Sequence, residues 1–91
     1  MSIRNKLEKE INLFLEYLTV EMGLAYNTRE SYGRDLRLFA GWIKKPLTEV
    51  DREDILAYMK MLRQHQYAPT SASRKLAALK AFFRFMTAEG F

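Results

Sequence analysis

The 91-residue chain has no cysteine, one histidine, two prolines and four glycines. Without thiols, disulfide staples and thiol chemistry are excluded, and His65 is the one side chain left to serve as a typical zinc ligand. No window approaches the ~18 continuous apolar residues of a membrane span. The opening run, MSIRNKLEKE, lacks the apolar stretch of a signal peptide. No segment alternates with the period of two that marks a half-buried strand. There is no Gly-rich phosphate loop, internal repeat, low-complexity tract or linker. These absences point to a soluble, cytoplasmic protein with no membrane partner. At 91 residues, 48% of them hydrophobic and 13% aromatic, the chain is long enough for one domain with a small core. It has little room for an enclosed catalytic pocket.

What is present is helical periodicity. Ile3, Leu7, Ile11, Phe14, Leu18 and Met22 recur at steps of three and four, after a capping Ser2 and before a terminating Gly23. Asn27 and Glu30 have the spacing of a capping box. They predict a second helix with the stripe Tyr32, Leu36, Phe39 and Ile43, ended by Pro46. Gly33 and Gly41 lie inside it, each at a cost of ~1 kcal/mol against Ala, which suggests a close approach, of another helix rather than a ligand. Asp51 caps a third helix, with Glu53 and Asp54 in its first turn and Ile55, Leu56, Met59 and Leu62 facing inward. A fourth starts at Thr70 or Ser71 and runs to about Ala88, with Leu76, Leu79, Phe83 and Met86 inward, Phe82 on the flank and Gly90 as the stop. The predicted fold is all-α, a compact four-helix bundle. The chain stops at Phe91 directly after the fourth helix, as a domain cut from a longer protein would.

Charge is distributed unevenly over these helices. Residues 1–24 carry three Lys/Arg and four Asp/Glu, and residues 47–68 the same, so each is net −1. Residues 25–46 carry five and two, and residues 69–91 four and one, so each is net +3. Two basic elements alternating with two acidic ones suit a polyanion better than a surface that only needs solubility. On the second helix Arg29, Arg34 and Arg37 fall within about 140° of one another beside the apolar stripe. Thr28 and the free N–H groups of the first turn add donors suited to phosphate. On the fourth helix Ser73, Ala77, Lys80 and Arg84 share one exposed stripe, and Arg74 and Ala81 extend it. Small residues let a helix sink toward a groove, and basic ones reach phosphates or guanine edges.

Other candidates are weaker. His65 has no adjacent nucleophile or second ligand and serves as a helix-dipole partner or is simply exposed. Glu49, Asp51, Glu53 and Asp54 lack the glycine and spacing of a calcium loop, and capping explains them. No metal, cofactor or catalytic residue is assigned. Tyr32, Phe82, Phe83 and Phe85 could stack on bases, but their helical spacing suits a core better. Tyr17, Tyr26, Tyr58 and Tyr67 carry no functional signal.

Two segments carry a family likeness. Phe14, Leu15, Leu18, Glu21, Gly23, Leu24, Asn27, Thr28, Tyr32, Asp35, Leu36 and Phe39, followed by the run from Ser71 to Phe85, resemble the SAM-like core-binding domain of tyrosine recombinases, the phage-integrase and Xer group. The resemblance covers almost the whole chain. It implies a helical bundle that, with a separate C-terminal catalytic domain, forms a clamp around duplex DNA in a tetramer of sister subunits. The second and fourth helices would lie against the DNA. By position, Thr28, Arg29, Ser31 and Arg34, then Ser71, Ser73, Arg74, Ala77 and Lys80, would face it. Arg37, Lys75 and Arg84 could also do so, or turn to solvent or to a neighbouring subunit. Tyr32 and Asp35 read as structural. The family's tyrosine nucleophile and its Arg, Lys and His assistants belong to the catalytic domain, so this chain alone is not an enzyme. It implies DNA integration and recombination as the parent's activity. Alternatives are a helical protein-interaction module with an acidic partner and a stand-alone helix-turn-helix regulator.

Overall fold

The computed structural model describes residues 3–46 and 49–90, with side chains from residue 8 onward. Apolar residues spaced three and four apart close on one another as four helices: α1 (Ile3–Val20), α2 (Tyr26–Ile43), α3 (Arg52–Gln64) and α4 (Pro69–Ala88). No strand occurs among the described residues. The bundle measures 35 × 30 × 20 Å. Its core takes Ile11, Phe14 and Leu18 from α1, Leu36 and Phe39 from α2, Tyr58 and Leu62 from α3, and Leu79, Phe82 and Met86 from α4. Aromatic edges meet faces there, with Phe14 and Phe82 ring centres 5.5 Å apart and Phe39 and Tyr58 5.0 Å apart. That geometry adds about 1 kcal/mol per pair beyond the area buried.

Three ends follow the sequence closely. Gly23 takes φ +63, and the Leu24 N–H reaches back to the Leu18 carbonyl at 3.1 Å, which satisfies an acceptor left over at the end of α1. Asp51 accepts from the Asp54 N–H while Asp54 accepts from the Asp51 N–H, both at 3.0 Å, a complete reciprocal cap on α3. Gly90 follows α4 with φ +80.

Several expectations are corrected. α2 begins at Tyr26, one residue early, and its N-cap is Ala25 with no side-chain cap bond, so Asn27 and Glu30 form no capping box. Asn27 is already inside the first turn, past the position where its side chain could cap. α4 begins at Pro69 on an Ala68 cap, because proline's fixed φ and missing N–H suit the first helical position. α2 ends at Ile43, where Lys44 turns left-handed at φ 53, three residues before Pro46 could stop it. Met22 is 58% exposed, since the helix has ended before its stripe position is reached. Leu56 is 49% exposed, and Tyr58 fills the inward place instead. Phe82, expected on the flank, is buried, while Phe83 is partly exposed. The two helix glycines differ. Gly33 lies where α1 crosses α2, but a Cβ on Gly41 would meet open space. Ser2, expected as a cap, Leu47, Thr48 and Phe91 lie outside the described residues, as do the side chains of Ile3 and Leu7.

Candidate nucleic-acid interface

The two basic helices are tied together by one carboxylate. Asp35 sits on the buried face of α2, between Tyr32 and Phe39 in the helical repeat, with its side chain 1% exposed. A buried carboxylate demands charged donors. α4 supplies two in sequence. Arg74 donates from Nε at 2.9 Å and from Nη2 at 3.1 Å, one to each carboxylate oxygen, and Lys75 Nζ donates at 2.7 Å. Burial is the largest influence on Asp35 and pushes its pKa up, but the hydrogen bonds and charges of Arg74 and Lys75 together outweigh it. The carboxyl is held below its ordinary value. Arg74 is correspondingly held up, first by its hydrogen bonds to Asp35 and then by the carboxylate's charge.

Arg74 and Lys75 are adjacent in sequence but differ in position. The Lys75 side chain is 8% exposed, and its ammonium also sits 5.5 Å from the centre of the Tyr67 ring. This corrects the reading of Lys75 as a surface cation, because its ammonium is buried and bonded to Asp35. The Arg74 side chain is 45% exposed. Of five guanidinium N–H donors, Asp35 takes two.

The rest of the expected face divides in the same way. Ser73, Ala77, Lys80 and Arg84 are all exposed along α4, as the stripe required, and Ser71 is half-buried at its start. On α2, Thr28 and Arg34 are exposed and Ser31 half-buried. Arg34, Lys80 and Arg84 make no hydrogen bond or ion pair among the described residues. Arg37 is exposed but paired with Glu8 of α1 at 2.9 Å. Arg29 folds back over the Tyr26 ring, 5.7 Å from its centre, and lies 3.5 Å from Glu30 and 3.4 Å from the Thr19 hydroxyl. At the far end of α2, Lys45 bonds Asp54 at 2.8 Å and anchors the connection to the α3 cap.

The Asp35 link was within reach of the sequence. Residues 32, 35, 36 and 39 share one helical face, so a carboxylate at 35 stands on the apolar stripe of α2. Residues 72, 75, 76 and 79 do the same on α4, which places a lysine in the core. A charge of each sign at two core positions is a signal for a buried pair.

Among the described residues, no group of three or more His, Cys, Asp or Glu is placed to hold a metal. No described helix is long and apolar enough to cross a membrane. Tyr58 is wholly buried and burial raises its phenol pKa, so no external phosphodiester can reach it.

The fold is all-helical, with two basic helices bridged by Asp35. Residues 11–90 match the phage integrase, N-terminal SAM-like domain, and the chain belongs to that family. It is similar to the tyrosine recombinase XerC of Herpetosiphon aurantiacus, at 37% identity over 88% of this chain and 28% of that protein. It is also similar to the tyrosine recombinases XerD of Listeria monocytogenes, 38% identical over 85% of this chain and 28% of that protein, and of Brucella abortus, 40% identical over 89% and 27%. The chain thus spans a little over a quarter of the curated relatives it matches. No solved structure matches it.

Proposed function

We propose that residues 1–91 are the DNA-gripping, core-binding domain of a site-specific tyrosine recombinase that works in the cytoplasm in DNA integration and recombination. The observation that carries this reading is the Asp35 bridge, which holds the two basic helices side by side. The grip uses Thr28, Ser31 and Arg34 on α2 and Ser71, Ser73, Arg74, Ala77, Lys80 and Arg84 on α4. Arg29 and Arg37 join it by exchanging their exposed protein partners for phosphate, at little cost because exposed pairs are weak. Lys75 acts from inside, as part of the bridge. Strand cleavage belongs to a C-terminal catalytic domain of the parent protein, and sister subunits complete a tetramer on the DNA. Similarity to XerC and XerD proteins supports the recombinase assignment.

An amide NMR titration with a short duplex at low salt, repeated with heparin, tests the grip. Shifts confined to 27–37 and 70–84, and different for the two polyanions, are expected. Identical shifts for duplex and heparin would reduce the interaction to charge alone and favour an acidic protein partner.

A further inference from the structure

We infer that Asp35 is a positioning residue that turns Arg74 into a directional, guanine-reading contact, and that Arg74 sets sequence preference where Lys80 and Arg34 set only affinity. The inference rests on the DNA-binding reading above and adds the chemistry of the group recognised.

The geometry separates Arg74 from the other cations of the face. Arg34, Lys80 and Arg84 are exposed and without partners among the described residues, so no protein group fixes their direction, which suits contact with a phosphate backbone. Arg74 is clamped along its Nε–Nη2 edge by both oxygens of a carboxylate that is itself buried. The clamp leaves the Nη1–Nη2 edge as a rigid fork of parallel donors. Asp35 offsets much of the charge but none of the direction. Two N–H groups in a fixed plane match the paired acceptors O6 and N7 on the major-groove edge of guanine.

Its place on the helix suits that use. Arg74 lies in the second turn of α4, near the end from which recognition helices address base edges. Thr70, Ser73 and Ala77, its neighbours at i−4, i−1 and i+3, are small and exposed, so nothing bulky on that side keeps a groove away. Lys75 supports the clamp from behind, by holding Asp35 charged.

Selection from a randomised duplex pool, read by sequencing, tests the inference on the 91-residue chain and three variants. The wild type should enrich a guanine at one fixed position. Lys80→Ala should enrich the same sequences with lower overall affinity. Arg74→Lys keeps the charge, gives up the fork, and should lose the guanine preference by roughly tenfold. Asp35→Asn should lose it too, with a thermal melt to establish that the variant is folded; Arg74→Lys alone decides if it is not. An Arg74→Lys variant that keeps the guanine preference would overturn the inference, as would a wild type that binds duplex without preference. If the wild type binds no duplex at all, the DNA-binding reading falls first and this inference falls with it.

Discussion

A Cβ built on Gly33 would stand 3.0 Å from Leu15 Cδ1, and that contact sets how closely α1 lies on α2. Leu15 is buried, so it has little freedom to withdraw. Gly41, two turns on in the same helix, faces open space.

The two glycines should therefore respond oppositely. Gly41→Ala removes the entropy cost of glycine with no clash and should stabilise by about 1 kcal/mol, or a Tm rise of about 4–8 °C. Gly33→Leu forces the helices apart and should cost about 1–3 kcal/mol. Thermal melts of the two variants check the pair. Equal Tm changes would contradict the close approach.

Asp51→Ala should cost about 1 kcal/mol, the usual value of an N-cap, because it removes the acceptor for the Asp54 N–H. Urea unfolding measures it. A cost near zero would mean that the cap is replaced by water without penalty.

Stability should fall in acid. The folded pKa of Asp35 is lowered, since the Arg74 and Lys75 bonds outweigh the burial that raises it. A group lowered in the folded state contributes stability above its unfolded value, near 3.8, and loses that contribution as pH falls through the folded value. Asp54, lowered first by its bond from Lys45, adds in the same direction. Melts from pH 7 to pH 2 should show Tm decreasing below about pH 4. In Asp35→Asn the stability at pH 7 should drop by about 3–5 kcal/mol, because the Lys75 ammonium is left buried without its counter-charge. The acid-dependent loss should then be smaller. A variant as acid-sensitive as the wild type would exclude Asp35 as a source.

Salt should weaken duplex binding steeply. If about five phosphates are neutralised, log K falls with log salt at a slope of roughly −4 to −5. Lys80→Ala should lower the magnitude of that slope by about 0.9 and leave the thermal transition in place. Fluorescence anisotropy across a salt series measures both. A slope unchanged by Lys80→Ala would remove that residue from the backbone contacts.

Helix number and order, the α3 cap and the Gly23 stop were legible in the sequence, because Asp51 and Gly23 carry their conformations in their own chemistry. The starts of α2 and α4 were not, because both caps are alanines. An alanine cap is fixed by the path of the chain and has no side-chain signature. The exchange of Leu56 for Tyr58 was also in the spacing, since at about 100° per residue Tyr58 stands roughly 60° from Ile55 and Leu56 roughly 100° on the other side, but a phenol hydroxyl reads as surface until packing encloses it. At the interface, the exposed stripe of α4 followed from helical spacing alone. The burial of Lys75 was carried by the same spacing but missed, since a lysine beside an arginine on a basic helix reads as surface until a counter-charge 40 positions earlier is placed against it.

That separation has a consequence for how the protein is made. Arg74 and Lys75 reach Asp35 across 39 and 40 residues, and α4 also brings Leu79, Phe82 and Met86 to the core. α4, the last of the four helices to emerge, therefore completes both the hydrophobic interior and the cationic face. A nascent chain that has emitted only α1 to α3 has the Asp35 carboxylate on its apolar stripe, without the cations that neutralise it. Such a chain lacks both the core contacts of α4 and half of the basic surface, so the bundle and the face that the proposed DNA grip needs form together when α4 docks.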